Sequence, residues 1–224
     1  MTSWPTTRSG LEALQYELAA AEPEPYRPHE DQHVAGVFVC FARTGGDRGW
    51  AGAAVYRQYV AVTRACIIGT ASGPYIPGLL ALREGPLLER AVLALRRRPD
   101  VLLVNATGRD HSRGAGLALH LGAVLDVPSV GVTHRPLLAE GDPPGGRRGD
   151  SSPLTVDGST VGAYLRVQSD ALPLAVSAGW RTDVATAVEV VLDATGDVRT
   201  PRPLREARER ARIARAIAEG RAPG

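Results

Sequence analysis

The segment Pro74-Tyr75-Ile76-Pro77-Gly78-Leu79-Leu80-Ala81-Leu82-Arg83-Glu84 divides this chain into two unlike halves. Each proline fixes φ at about −65°, and Ile76, standing before Pro77, is pushed towards an extended conformation. Tyr75 therefore projects from a stiff loop that loses little entropy on contact. Gly78 permits close approach of a neighbour or ligand. A helix follows directly, with Glu84 in its first two turns, where the helix dipole favours an anion. Read alone, the stretch equally suits a Pro-rich loop capping an ordinary helix.

Working back from it, three apolar runs of strand length precede the loop, over residues 34–41, 51–62 and 65–69. A Gly-rich turn at 44–49 separates the first two, and the set reads as an antiparallel meander. Working forward, a helix over 79–97 leads to a short buried strand at 101–104, a helix over 114–125 and a strand at 129–132. Strand–helix–strand alternation calls for parallel pairing with a crossover. Together the halves give an α/β fold with a mixed central sheet flanked by helices.

The remainder adds to both ends. Leu11, Leu14 and Leu18 mark one face of a helix over 9–21, which Pro23, Pro25 and Pro28 terminate. Residues 141–153 form an exposed loop rich in Pro, Gly, Ser and Arg. Runs at 162–167 and 174–177 suit a late hairpin or edge, and 182–194 a helix. A last helix over 204–219 carries Leu204, Ala207, Ala211, Ala214 and Ala218 on one seam and arginine and glutamate on the other. No internal repeat or boundary divides the chain. It reads as one domain over 1–224: a helix and Pro-rich lead-in (1–33), a core (34–195) and an Arg-rich helical end (196–224).

Composition narrows the class. The chain has 224 residues, 44% of them apolar and 22% charged, which are the proportions of a soluble globular protein. No apolar run approaches the roughly 18 residues of a membrane span. The start, Met1-Thr2-Ser3-Trp4-Pro5, lacks a basic segment followed by an apolar one, so a cytoplasmic location is expected. Cys40 and Cys66 both lie in strand-like runs and are expected as buried free thiols. A net charge of +2 imposes no overall basic field. All 26 basic residues are arginine, a side chain suited to phosphate, although a biased genome is the simpler account of the missing lysine.

The best-placed polar site is the strand end Asn105-Ala106-Thr107-Gly108, because open sheets bind ligands beyond the carboxyl ends of their strands. Arg109, Asp110, His111, Ser112 and Arg113 follow it. His111 suits a general base, a proton shuttle, a phosphate contact or a plain solvent-facing loop histidine. His120 reads as a packed histidine, and His134, after the strand at 129–132, is expected to face the crevice of Asn105. There is no Walker A motif, no G-x-S-x-G elbow and no zinc-type Cys/His pattern. Arg147, Arg148 and the terminal helix suit either a phosphate backbone or solvent.

The motif Pro74-Tyr75-Ile76-Pro77-Gly78, with Glu84 six residues on, resembles the endonuclease V family. The likeness runs on through Pro99-Asp100-Val101-Leu102-Leu103-Val104, His111, Arg113, Gly116, His120 and Asp126-Val127-Pro128-Ser129-Val130-Gly131-Val132. It implies a ribonuclease H-like fold and a DNA-repair hydrolase that uses Mg2+ to cleave nucleic acid, DNA or RNA, near deaminated purines, inosine above all. By the same resemblance, Pro74, Tyr75, Ile76 and Pro77 form the wedge that props a duplex open. Gly78, Leu80, Ala106, Gly116 and Leu117 wall the pocket for a flipped base. Glu84 is a metal-binding carboxylate, His111 stands near the scissile phosphate, and Arg113 and His134 touch nucleic acid.

The chain departs from the family pattern at the metal centre. Phe38 and Asn105 stand where the resemblance implies aspartates, His134 where it implies lysine, Trp180 where it implies histidine and Ala185 where it implies a further aspartate. Magnesium is bound through anionic oxygen, usually one or two carboxylates plus substrate phosphates. Phe38 offers no oxygen and Asn105 only a neutral amide. The expectation is an endonuclease V-like protein that keeps base binding while cleavage is weakened or lost. One alternative is an active Mg2+-dependent nuclease with a relocated ligand such as Asp110. Another is a non-catalytic scaffold that engages a protein partner through its Pro/Gly loop and terminal helix.

Overall fold

The computed structural model describes residues 4–221. Its elements are α1 (Arg8–Ala20), β1 (His33–Phe41), β2 (Arg48–Arg57), β3 (Val60–Thr70), α2 (Leu80–Leu93), β4 (Val101–Val104), α3 (Leu117–Leu125), β5 (Ser129–Thr133), β6 (Ser151–Val156), β7 (Ser159–Leu165), β8 (Leu174–Ala178), α4 (Val184–Thr195) and α5 (Arg202–Ala218). One eight-stranded sheet runs β3-β2-β1-β4-β5-β8-β7-β6. The β1–β2–β3 meander is antiparallel, β1–β4 and β4–β5 are parallel, and the β5–β8–β7–β6 side is antiparallel again. The mixed sheet expected from the alternation of runs is therefore present.

Burial follows from the layers. Val37, Ala53, Leu87, Leu102, Leu117 and Leu121 pack between one sheet face and α2 and α3. Val34, Leu103, Val130, Val176, Val190 and Leu204 fill the other face, under α4 and α5. Alternate β1 residues thus enter opposite cores, the period-2 consequence of the pleat. Helix α5 lies directly on the sheet: a Cβ on Gly36 would stand 2.2 Å from the Leu204 nitrogen, and one on Gly52 2.2 Å from the Ala207 oxygen. Only residues without a Cβ allow a helix backbone to settle this close.

Three expectations need correction. The run 51–62 is not one strand, because Gln58 takes a left-handed φ of 53° and turns β2 into β3. The stretch ending at Pro153 is not all loop, since β6 begins at Ser151 and pairs with β7 across Asp157-Gly158, both at positive φ. Asp-Gly is a strong two-residue hairpin signal, and Pro153 is tolerated because β6 is the sheet edge. Finally, Cys40 is buried but Cys66 is exposed, on the outer strand β3. No described helix is long and apolar enough to cross a membrane.

Candidate nucleic-acid interface

The Pro74–Gly78 loop is locked at its last residue. Gly78 sits at φ +75°, and its carbonyl accepts hydrogen bonds from Gln15 Nε2 at 3.3 Å, His111 Nε2 at 3.0 Å and Arg113 Nη2 at 3.1 Å. A carbonyl can only accept, so His111 carries its proton on Nε2. Its Nδ1 in turn accepts the Arg113 backbone N–H at 3.2 Å. Burial pulls the His111 pKa down, with the Gly78 carbonyl opposing and Arg113 assisting. This neutral histidine has both nitrogens engaged. Arg113 is held by Gln15 Oε1 at 2.6 Å. Ile76 packs on the apolar core as an anchor, whereas Tyr75 remains 66% exposed.

Behind the loop lies a cavity of about 270 Å³. Tyr75, Pro77, Gly78 and Leu80 form one wall, Ala106, Thr107, His111 and Leu117 another, and Thr133, Arg135, Pro136 and Leu137 close the far side. The expected residues Tyr75, Pro77, Gly78, Leu80, Asn105, Ala106, His111 and Leu117 line it, whereas Gln15, Thr133, Arg135, Pro136 and Leu137 carry no expectation from the sequence. Gln15 had a legible signal, being a polar residue on the Leu11–Leu18 seam of α1, and it is buried.

Other nominated residues stand elsewhere. Gly116 is a packing glycine before α3, where a Cβ would meet the Thr107 oxygen at 2.4 Å, and it does not line the cavity. Arg113 acts from behind, through Gly78. His134 shares a narrow crevice with Asn105 and Arg208, outside the cavity. Its pKa is lowered, first by burial and then by Arg199 and Arg208. His120 is fully buried and stacks on Trp4 with ring centroids 4.4 Å apart. Desolvation pulls its pKa down to about 4, so it packs as a neutral ring.

Asp110 does not line the cleft that holds Glu84, and its carboxylate is engaged by backbone amides. It is buried, and its carboxylate accepts backbone N–H groups from Leu137 at 2.6 Å, Leu138 at 2.9 Å and Ala139 at 2.9 Å. Three amide donors occupy most of its acceptor capacity, two on Oδ1 and one on Oδ2, and fold the 133–139 segment against the cavity.

At the carboxyl ends of β1 and β4 a second cleft, about 220 Å³, adjoins the first. Glu84 lines it among Val37, Phe38, Leu80, Leu88 and Val104, with Asn105 and Tyr75 at the rim. Desolvation pushes the Glu84 pKa up to about 7, against the pull of Arg83. Arg83 itself is paired with Asp47 at 2.9 Å and lies over Phe41. Asn105 Oδ1 accepts from Arg208 Nη2 at 3.1 Å. The guanidinium carbons of Arg208 and Arg212 each stand 5.6 Å from the Phe38 ring centre.

This donor set does not fit a hard divalent cation. Glu84 is the one carboxylate lining the cleft, Asn105 is neutral and already bonded to a cation, and Phe38 supplies only a ring. Among the described residues no group of three or more His, Cys, Asp or Glu is arranged to hold a metal ion.

The sheet order, the crossover and the helices on both faces define a ribonuclease H-like α/β domain with its cavities at the strand ends. Residues 17–209 match the family model for endonuclease V. The endonuclease V of Rhodospirillum centenum is 41% identical over 198 residues, covering 85% of this chain and 82% of its own. The crystal structure of endonuclease V from Streptomyces avermitilis superposes with a TM-score of 0.89 at 35% identity, covering 97% of this chain and 96% of that one. The chain belongs to the endonuclease V family. The Ciona intestinalis endonuclease V, crystallised with a 24mer DNA containing an inosine followed by a ribo-adenosine, shares the fold at 18% identity with a TM-score of 0.79, covering 94% and 98%.

Proposed function

We propose that the protein binds nucleic acid carrying a deaminated purine, holds the extruded base in the 270 Å³ cavity, and hydrolyses phosphodiesters weakly or not at all. The observation that carries this reading is the contrast across Tyr75: a locked loop and apolar cavity on one side, a cleft with a single carboxylate on the other. Extruding a base costs a few kcal/mol of unstacking, least where the base is mispaired. A loop already fixed by Pro74, Pro77 and three donors on Gly78 adds little ordering cost to that. Tyr75 is the side chain available to replace the lost stack. Support from a relative comes from the Ciona protein, which was crystallised on inosine-containing DNA.

Hydrolysis lacks its parts. Metal-assisted cleavage needs an ion to activate water and offset charge on the phosphate, and the cleft's donors do not fit one. His111 is no substitute base, since both its nitrogens serve the loop lock. The engagement of Asp110 by three amides argues against the relocated-ligand alternative.

The test is a nicking assay on inosine-containing DNA and RNA with Mg2+ or Mn2+, beside binding measured in chelator. Tighter binding to inosine strands, with nicking no faster than in Glu84→Gln, is expected. Metal-stimulated nicking abolished by Glu84→Gln would restore a working nuclease, and equal affinity for inosine and ordinary strands would remove the base-recognition half.

A further inference from the structure

Arginines of α5 converge on the spot where the cleft lacks its ligands. Arg208, Arg212 and Arg215 lie four and three residues apart, hence on one helix face. The neighbouring seam, Leu204, Ala207 and Ala211, sits on Gly36 and Gly52, and this seating brings the arginine face beside Phe38 and Cys40 of β1. There a basin of about 610 Å³ is lined by Arg43, Arg212, Arg215 and Arg221 over a floor of Phe38, Cys40 and Ala216. Phe38 lines both the basin and the Glu84 cleft, so its ring is a wall the two share.

Most of the charge in this basin has no ion-pair partner among the described residues. Arg64 and Arg210 pair with Glu206, and Arg202 pairs with Asp197, so the neighbouring side of the helix is neutralised. Arg43, Arg208, Arg212, Arg215 and Arg221 form no ion pair with a carboxylate among the described residues, and no acidic residue lines the basin. Glu219, on the flank, accepts the Arg43 backbone N–H at 3.0 Å. Arg215 is braced by the Phe41 carbonyl at 3.1 Å and Arg208 by Asn105 at 3.1 Å, so part of the array is held in place before any ligand arrives. Guanidinium forks match phosphate oxygens in pairs and are weakly hydrated, so such a set suits an anion.

We propose that this basin is a metal-independent phosphodiester site, in which α5 arginines supply the positive charge that the residues around Glu84 do not recruit as a cation. A strand leaving the Tyr75 cavity passes the Glu84 cleft and lays its backbone along Arg212, Arg43 and Arg221. The inference rests on the reading that the adjoining cavity takes nucleic acid, and its readout is separate from base preference.

The experiment is fluorescence anisotropy in excess EDTA over a salt series, with two single strands of about 20 nucleotides that differ by one inosine. Wild type is compared with Arg43→Ala/Arg212→Ala, both exposed positions, with the Lys/Lys pair at the same sites, and with Tyr75→Ala. The Ala pair is expected to weaken both strands equally, by about tenfold, and to lower the salt slope by about 0.7 per lost phosphate contact. The Lys pair should keep the slope, and Tyr75→Ala should change the inosine ratio while leaving the slope alone. An unchanged slope in the Ala pair overturns the basin. A changed slope with no inosine preference in wild type upholds the basin and removes the base reading instead. Displacement by inorganic phosphate beyond that of chloride at equal ionic strength would assign the basin to free anions and overturn the strand path.

Discussion

Two clefts meet at Tyr75, and they are built on opposite principles. On the Gly78 side the geometry is over-determined: one carbonyl takes three donors from α1 and from the loop after β4, and a buried Asp110 folds the opposite wall. On the Phe38 side almost nothing polar is fixed except an asparagine held by an arginine. Glu84 sits there with a pKa raised to about 7 and no ion pair among the described residues. A binding surface gains from rigidity, whereas hydrolysis needs charged ligands at defined points. The fixed hydrogen bonds concentrate in the first cleft, and the second has Arg208 on its one fixed polar side chain.

The sharpest way to break this contrast is Asp110→Ala. Removing the acceptor of three backbone amides, the Ala139 one buried and the other two partly so, should cost on the order of 3 kcal/mol, read as a lowered urea midpoint, with Asp110→Asn intermediate. A loss under about 1 kcal/mol would mean that the cavity wall does not depend on this carboxylate.

Next is the pH dependence of Glu84. Its folded pKa is raised from 4.5 to about 7, so the folded state keeps the proton after the unfolded chain has lost it. The stabilising contribution is complete below pH 4.5 and disappears as pH rises through 7. Glu84→Gln should therefore match wild type near pH 4 and exceed it above pH 7 by on the order of 2 kcal/mol. Melting temperatures at the two pH values check this, and a parallel offset at both would contradict it.

Restoring carboxylates sharpens the other half. Phe38→Asp with Asn105→Asp should give a Mn2+-dependent stabilisation on the order of 1–2 kcal/mol at saturating metal, read as a raised melting temperature, and wild type should show none. If the double variant stays insensitive, Arg208 is pairing with the new carboxylates and Arg208→Ala should release the response. The smallest effect belongs to Tyr75→Ala. Its side chain is 66% exposed, so stability should stay within about 0.5 kcal/mol by denaturant titration, and any larger change would make it a structural residue.

Much of this architecture could be read locally. The run Val101–Val104 was bounded by Pro99-Asp100 and Asn105, and its strand has those limits in the fold. The 3.6-residue period marked α1 and α5 to within two residues. The errors were equally local in origin. Gln58 gives no Gly or Pro warning of its turn, and Asp157-Gly158 gave a warning that went unused. At the site, Asp110 looked like an available carboxylate because its three partners lie 27 to 29 residues away.

By itself the sequence determined the stiffness of the Pro74–Pro77 loop, the mixed parallel and antiparallel character of the sheet and the lack of a carboxylate at Phe38 and Asn105, because each depends on residue type or short-range period. Only the tertiary structure decided that Gly78 is held by residues 15, 111 and 113, and that Arg208 reaches Asn105 across 103 positions. Those contacts exist because Gly36 and Gly52 let a distant helix settle onto the sheet and because α1 folds back over the loop. Such juxtapositions come from packing in three dimensions, which no periodicity along the chain encodes.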